Sequence, residues 1–115
     1  MVIINDQLTL QHVQRSADMP VGVVGNILQY AALTLAIAQV LGLTPRRYIH
    51  YFLDAQIYED QIDRVKRLIE RQPRPFPTLT IIDPAIKDIF AFRPEHFELM
   101  DYDPHPSMND IPVTE

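Results

Sequence analysis

The sequence predicts a mixed α/β domain in which a twisted β-sheet packs on one buried helix. Three features carry that expectation. Short β-branched runs separated by turn-forming residues open the chain and recur near its end. Residues 21–43 are apolar on nearly every face of a helix. Residues 46–58 alternate with period two, the pattern of a strand. With 115 residues and 47% hydrophobic content, the chain suffices for a single domain with its own core.

In order along the chain, Val2–Ile4 and Leu8–Val13 flank Asn5-Asp6 and read as a β-hairpin. The second strand delivers Gln14, Arg15 and Ser16 to a corner that Met19-Pro20 turns. The run from Met19 to Thr44 is uncharged and long enough to raise the question of a membrane span. Asn26, Gln29, Tyr30, Thr34 and Gln39 are spread around it and no basic flank precedes it. A buried helix of a soluble protein is therefore expected, with no membrane partner, ended by Gly42 and Pro45.

In the 46–58 strand, one face is Ile49, Tyr51, Leu53, Ala55 and Ile57. The other is Tyr48, His50, Phe52, Asp54, Gln56 and Tyr58. Polar groups on a largely buried strand need partners, so this second face should look into a cavity, a ligand or a hydrogen-bond network. Glu59–Gln72 follows as an amphipathic helix with Ile62, Val65, Leu68 and Ile69 on one stripe. Asp60–Arg64 and Asp63–Arg67 are spaced as ion pairs on its solvated face. Pro73-Arg74-Pro75-Phe76-Pro77 makes an extended connector. A strand at 79–82, a helical turn at 86–90 and a last strand at 97–102 complete the reading.

Composition narrows the function. A net charge of −5 gives no attraction to nucleic acid or anionic membrane. The absence of Cys removes disulfides and thiol chemistry. His12, His50, His96 and His105 are scattered without ligand spacing, so no metal site is expected. No leader pattern opens the chain, which predicts a cytoplasmic protein.

The chemistry concentrates at the corner. A helix N-terminus carries unpaired N–H groups and partial positive charge, so Arg15 and Ser16 beside one suit a phosphate or carboxylate. The plainer alternative is a corner in which Arg15 pairs with Asp18. Asn26 offers a donor and an acceptor, matching O4 and N3–H of uracil; its plainer alternative is a cap at the helix start.

Arg15-Ser16-Ala17-Asp18, Gly22, Asn26-Ile27, Asp54 with Tyr58, the Pro-rich connector and Tyr102-Asp103-Pro104-His105-Pro106 follow one another in an order and spacing that resemble thymidylate synthase over essentially the whole chain. The resemblance implies that Arg15 and Ser16 hold a nucleotide phosphate and that Asp18 sits beside base and folate. It places Gly22 close to the bound base, on the side of the 5,10-methylenetetrahydrofolate cofactor. Asn26 would read the pyrimidine, and Gln56 and Tyr58 the sugar. Val24-Gly25 stands where the family has Pro-Phe, and Gln56 and Gln61 stand where it has His. The amide of Gln56 still donates and accepts but does not titrate near neutral pH.

The family's nucleophile is a cysteine thiolate just upstream of the strand that opens this chain, so the chain is expected to be a C-terminal part of that fold. No catalytic residue is assigned within it. The implied activity is one-carbon transfer to C5 of dUMP once a Cys-bearing segment is supplied. The implied partners are dUMP or a related nucleotide and either a second copy, as a homodimer, or a complementing N-terminal polypeptide. The alternatives are a non-catalytic nucleotide-binding or dimerisation module and a pyrimidine nucleotide hydroxymethyltransferase.

Overall fold

The computed structural model describes residues 1–113. Strand β1 (Val2–Ile4) pairs antiparallel with β2 (Gln7–Gln14). Asn5 and Asp6 between them adopt φ of 49° and 58°, the left-handed pair of a tight hairpin turn. Strand β2 then pairs in parallel with β4 (Thr44–Phe52), giving a sheet of order β1-β2-β4. A parallel pair needs a crossover, and helix α1 (Gly22–Leu41) supplies it.

Past the end of β2 the same two segments stay side by side as a short second pair, β3 (Ala17–Asp18) with β5 (Ala55–Gln56). Leu53 N–H donates to the Gln14 carbonyl at 3.0 Å, and Ala17 N–H to that of Asp54 at 2.9 Å. The expected single strand at 46–58 is thus two strands. A bend at Leu53-Asp54 faces the bend at Arg15-Ser16, so both segments leave strand geometry at the same level while these two backbone bonds keep them side by side.

Helix α1 packs on β2, β3, β4 and β6 (Thr78–Ile81), and on the 3-10 turn Ile89–Ala91. Gly42 ends it at φ 66°, its N–H and that of Leu43 returning to the last turn. By length and composition α1 is long and apolar enough to cross a membrane. Three of its polar residues are bonded within the protein: Asn26 to Gln14, Thr34 to the Tyr30 carbonyl, and Gln39, whose Nε2 donates to the carbonyls of Asp83 and Ile86 at 2.9 and 3.0 Å.

The expectation of burial on every face is corrected. Val23, Thr34, Ala36 and Ala38 are buried, while Val24 is 69% and Leu28 51% exposed. The strands and the 3-10 turn cover the sides they touch and leave the rest of the apolar surface open.

The second helical region is also shorter than the sequence predicts. A 3-10 turn at Glu59–Gln61 leads into α2 (Ile62–Ile69). Val65 and Leu68 are half-buried, but Ile69 is 75% exposed, so only part of the apolar stripe is covered. The Asp63–Arg67 pair does not form: Asp63 meets Lys66 at 3.7 Å, and Arg67 reaches Asp110. Arg64 donates to the Asp60 backbone carbonyl at 3.0 Å.

After the extended connector, β6 (Thr78–Ile81) and β7 (Phe97–Met100) form an antiparallel pair. Asp101 at φ 57° ends β7 two residues before the expected limit.

Candidate functional site

Gln14, the last residue of β2, is the hinge of the site. Its Nε2 donates to the Ser16 carbonyl at 2.9 Å and to Asn26 Oδ1 at 3.0 Å. Its Oε1 faces His50 Nε2 at 2.9 Å. His50 Nδ1 lies 2.6 Å from the Tyr48 hydroxyl, which lies 3.3 Å from His12 Nδ1. Ring contacts brace this row, with His12 stacked on Tyr30 at 3.7 Å and His50 on Phe52 at 4.3 Å between centroids.

Burial, reinforced by the nearby His12, holds His50 below the ordinary imidazole pKa, so its neutral form dominates near pH 7. Burial and the neighbouring Tyr30 raise the Tyr48 phenol. The polar face of β4 does look into a hydrogen-bond network, as its alternation predicts, with Tyr48 and His50 half-buried and bonded to each other, to His12 and to Gln14.

A second network starts one turn of chain later. Gln61 is fully buried. Its Nε2 donates to both Asp18 carboxylate oxygens at 3.3 Å and to the Pro112 carbonyl at 2.9 Å. Its Oε1 accepts from Tyr58 N–H at 3.0 Å. The Tyr58 hydroxyl donates to Gln56 Oε1 at 3.0 Å, and Gln56 Nε2 donates to Asp54 at 2.7 Å. The β3–β5 register sets Asp18 directly beside Gln56.

Both plain alternatives for the corner fail. Arg15 is exposed and makes no ion pair among the described residues; Asp18 is taken by Gln61 instead. Asn26 is not a cap. The N-cap of α1 is Val21, with no side-chain capping bond, and Asn26 lies in the second turn with its oxygen on Gln14. Gly22 sits between the two polar residues: a Cβ there would meet Asn26 Oδ1 at 3.7 Å and Asp18 Cβ at 3.9 Å.

The structure therefore brings Asp18, Gly22 and Asn26 together, with Gln56 and Tyr58 joined to Asp18 through β5 and Gln61. Arg15 and Ser16 stand at the bend next to Gln14. Sequence reasoning missed His12, Tyr48, His50 and Gln61 as members of the site. The signal for the first three was their shared alternating register across β2 and β4.

Arg64 and Arg67 of α2 lie on the solvated face the sequence predicts, and together with Arg71 and Arg74 they also strap the tail. Arg67 and Arg64 reach Asp110, at 3.8 Å for Arg64, and Arg71 donates to the Pro106 carbonyl at 2.8 Å. Arg74 pairs with Asp103 at 2.9 Å. The Arg67 contact holds the Asp110 carboxyl below the usual range. Thr114 and Glu115 lie outside the described residues.

An apolar cleft of about 640 Å³ between α1 and the β6–β7 pair is lined by Gly25, Asn26, Leu28, Leu79, Phe97 and Leu99. A Cβ at Gly25 would meet nothing within 4 Å, so the wall is open where the resemblance implies an aromatic ring. The acid expected beside the folate, Asp18, is committed to Gln61. These residues by themselves do not fit a folate: the carboxylate faces inward and the ring is missing.

The thymidylate synthase family model matches residues 1–113. Members of that family use methylenetetrahydrofolate, bind dUMP and are usually dimeric. A match over nearly the whole length, on a chain with the mixed α/β architecture described above, means that this chain belongs to the thymidylate synthase family.

Proposed function

We propose that this chain is a nucleotide-binding domain that takes dUMP or a closely related pyrimidine monophosphate at the corner between β2 and α1. The observation that carries the reading is the Arg15 guanidinium, exposed and with no ion pair among the described residues, next to a residue that holds Asn26 by its side chain. A bidentate donor left open beside a fixed amide suits a phosphate and a base on one molecule.

Arg15 and the Ser16 hydroxyl hold the phosphate, and the uncapped N-terminus of α1 adds its field. Asn26 meets the base across Gly22. The sugar hydroxyl donates to the Tyr58 oxygen, whose hydrogen is spent on Gln56, and accepts the second N–H of Gln56 Nε2. In this reading the nucleophilic attack on the pyrimidine ring belongs to a cysteine thiolate from another segment. A cytoplasmic location and pairing with a second copy or a complementing polypeptide belong to the same reading.

A non-catalytic module is the second reading, favoured by the open wall at Gly25 and the inward-facing Asp18. Titration calorimetry with dUMP tests the first claim, and absence of heat at millimolar nucleotide would reject it. Release of tritium from 5-labelled dUMP, after adding a Cys-bearing upstream segment and methylenetetrahydrofolate, separates the two readings. Binding without release selects the module.

A further inference from the structure

We propose that His50, backed by Tyr48, is a positioning residue that locks the Asn26 amide in one orientation and thereby favours a 4-carbonyl over a 4-amino pyrimidine. The proposal rests on the nucleotide reading above and adds a source of base specificity to it.

The direction of the hydrogen-bond row follows from one acceptor that cannot change role. The Ser16 carbonyl only accepts, so the Gln14 group 2.9 Å from it is the amide nitrogen. The second hydrogen on that nitrogen then goes to Asn26, whose facing atom is the oxygen, 3.0 Å away. Gln14 Oε1 is left toward His50, so His50 Nε2 carries a hydrogen. In neutral His50 the other nitrogen is bare and accepts the Tyr48 O–H at 2.6 Å. The Tyr48 oxygen in turn accepts from His12 Nδ1. Every donor in the row points toward Asn26.

Asn26 is thereby polarised. Its oxygen accepts from Gln14 and keeps one lone pair, while Nδ2 makes no hydrogen bond among the described residues. Uracil presents O4 to a donor and N3–H to an acceptor, in the order this amide offers. Cytosine presents N4–H₂ and bare N3, the reverse. To match cytosine in the same pose the amide must turn over, which sets Asn26 Nδ2 against Gln14 Nε2, donor against donor. The Ser16 carbonyl and His50 hold Gln14 in this orientation from its two amide atoms, and His50 is the partner of Oε1.

The first measurement is the imidazole ¹H–¹⁵N spectrum of the labelled chain without nucleotide. Hydrogen on Nε2 of His50 near pH 7.5 is the expected result, shifting toward the other tautomer in Tyr48→Phe; hydrogen on Nδ1 of His50 in the unsubstituted chain would overturn the proposal. The second is the ratio of dUMP to dCMP affinity. His50→Phe keeps a ring but removes the donor, and the ratio is expected to fall about tenfold, as for the loss of an oriented hydrogen bond. His50→Gln restores a donor and is expected to keep the ratio within about threefold of the parent. An unchanged ratio in folded His50→Phe overturns the positioning role. If His50→Phe fails to fold, Tyr48→Phe is read the same way. If the parent binds neither nucleotide, the nucleotide reading falls and takes the specificity claim with it, and the tautomer spectrum alone decides whether His50 orients the row.

Discussion

The buried amide of Gln61 joins Asp18 to the carbonyl of Pro112, tying the corner of the sheet to the last described stretch of the chain. It stands where the resemblance places a histidine. An imidazole has two ring nitrogens to share; this amide uses both its nitrogen and its oxygen within the protein.

Gln61→Leu fills a similar volume and removes every one of those bonds. Asp18 and the Pro112 carbonyl then lose a buried partner, and Tyr58 N–H loses its acceptor. A loss of about 2–4 kcal/mol is expected, since orphaned polar groups cost more than the bonds contribute. Chemical denaturation measures it, and amide exchange should quicken at residues 110–113 before it does in β2.

Arg15→Ala should separate binding from folding. The side chain touches no acid among the described residues, so stability should change by under about 0.5 kcal/mol. Affinity for dUMP should fall about 10- to 100-fold, the range for losing charged hydrogen bonds to a phosphate. Arg15→Lys should recover only part, because an ammonium cannot fork onto two oxygens. Equal affinity for all three would remove Arg15 from the site.

The His50 row also sets a pH dependence. Because its folded pKa is lowered, the unfolded chain takes up that proton first as pH falls. The stability this group contributes is complete above the ordinary value of about 6.5 and is lost as pH drops from there through the folded pKa. Tyr48 is the mirror case: with its pKa raised, its contribution is present below about 10 and is lost as pH rises beyond that. Melting temperatures from pH 5 to 8 should rise with pH, with a shallower slope in His50→Phe.

Gly42→Ala tests the end of α1. An added Cβ has open space around it, but the residue sits at φ 66°. Conformational strain alone should then cost about 1 kcal/mol, visible as a lower melting temperature with nucleotide affinity unchanged.

Much of this protein was legible from local pattern. The Asn5-Asp6 hairpin, the extent of α1 and its stop at Gly42 are set by residues close in sequence, and the structure agrees with each. The family was legible too, since the motifs around Arg15, Asp18, Gly22 and Asn26 match it in order. Local pattern misjudged the 46–58 strand because its break depends on a bend in a different segment, Arg15-Ser16. It misjudged the Asp63–Arg67 pair because Asp110, 43 residues from Arg67, competes for the guanidinium.

The sequence alone determined which backbone conformations are cheap, where apolar faces fall and which chemical groups are present. Only the tertiary structure decided which of those groups meet. That Gln14 joins Asn26 to His50, and that Gln61 claims Asp18, follows from parallel register and from α1 lying across it. A hydrogen bond acts over about 3 Å, so it is fixed by chain segments that sequence spacing does not bring together.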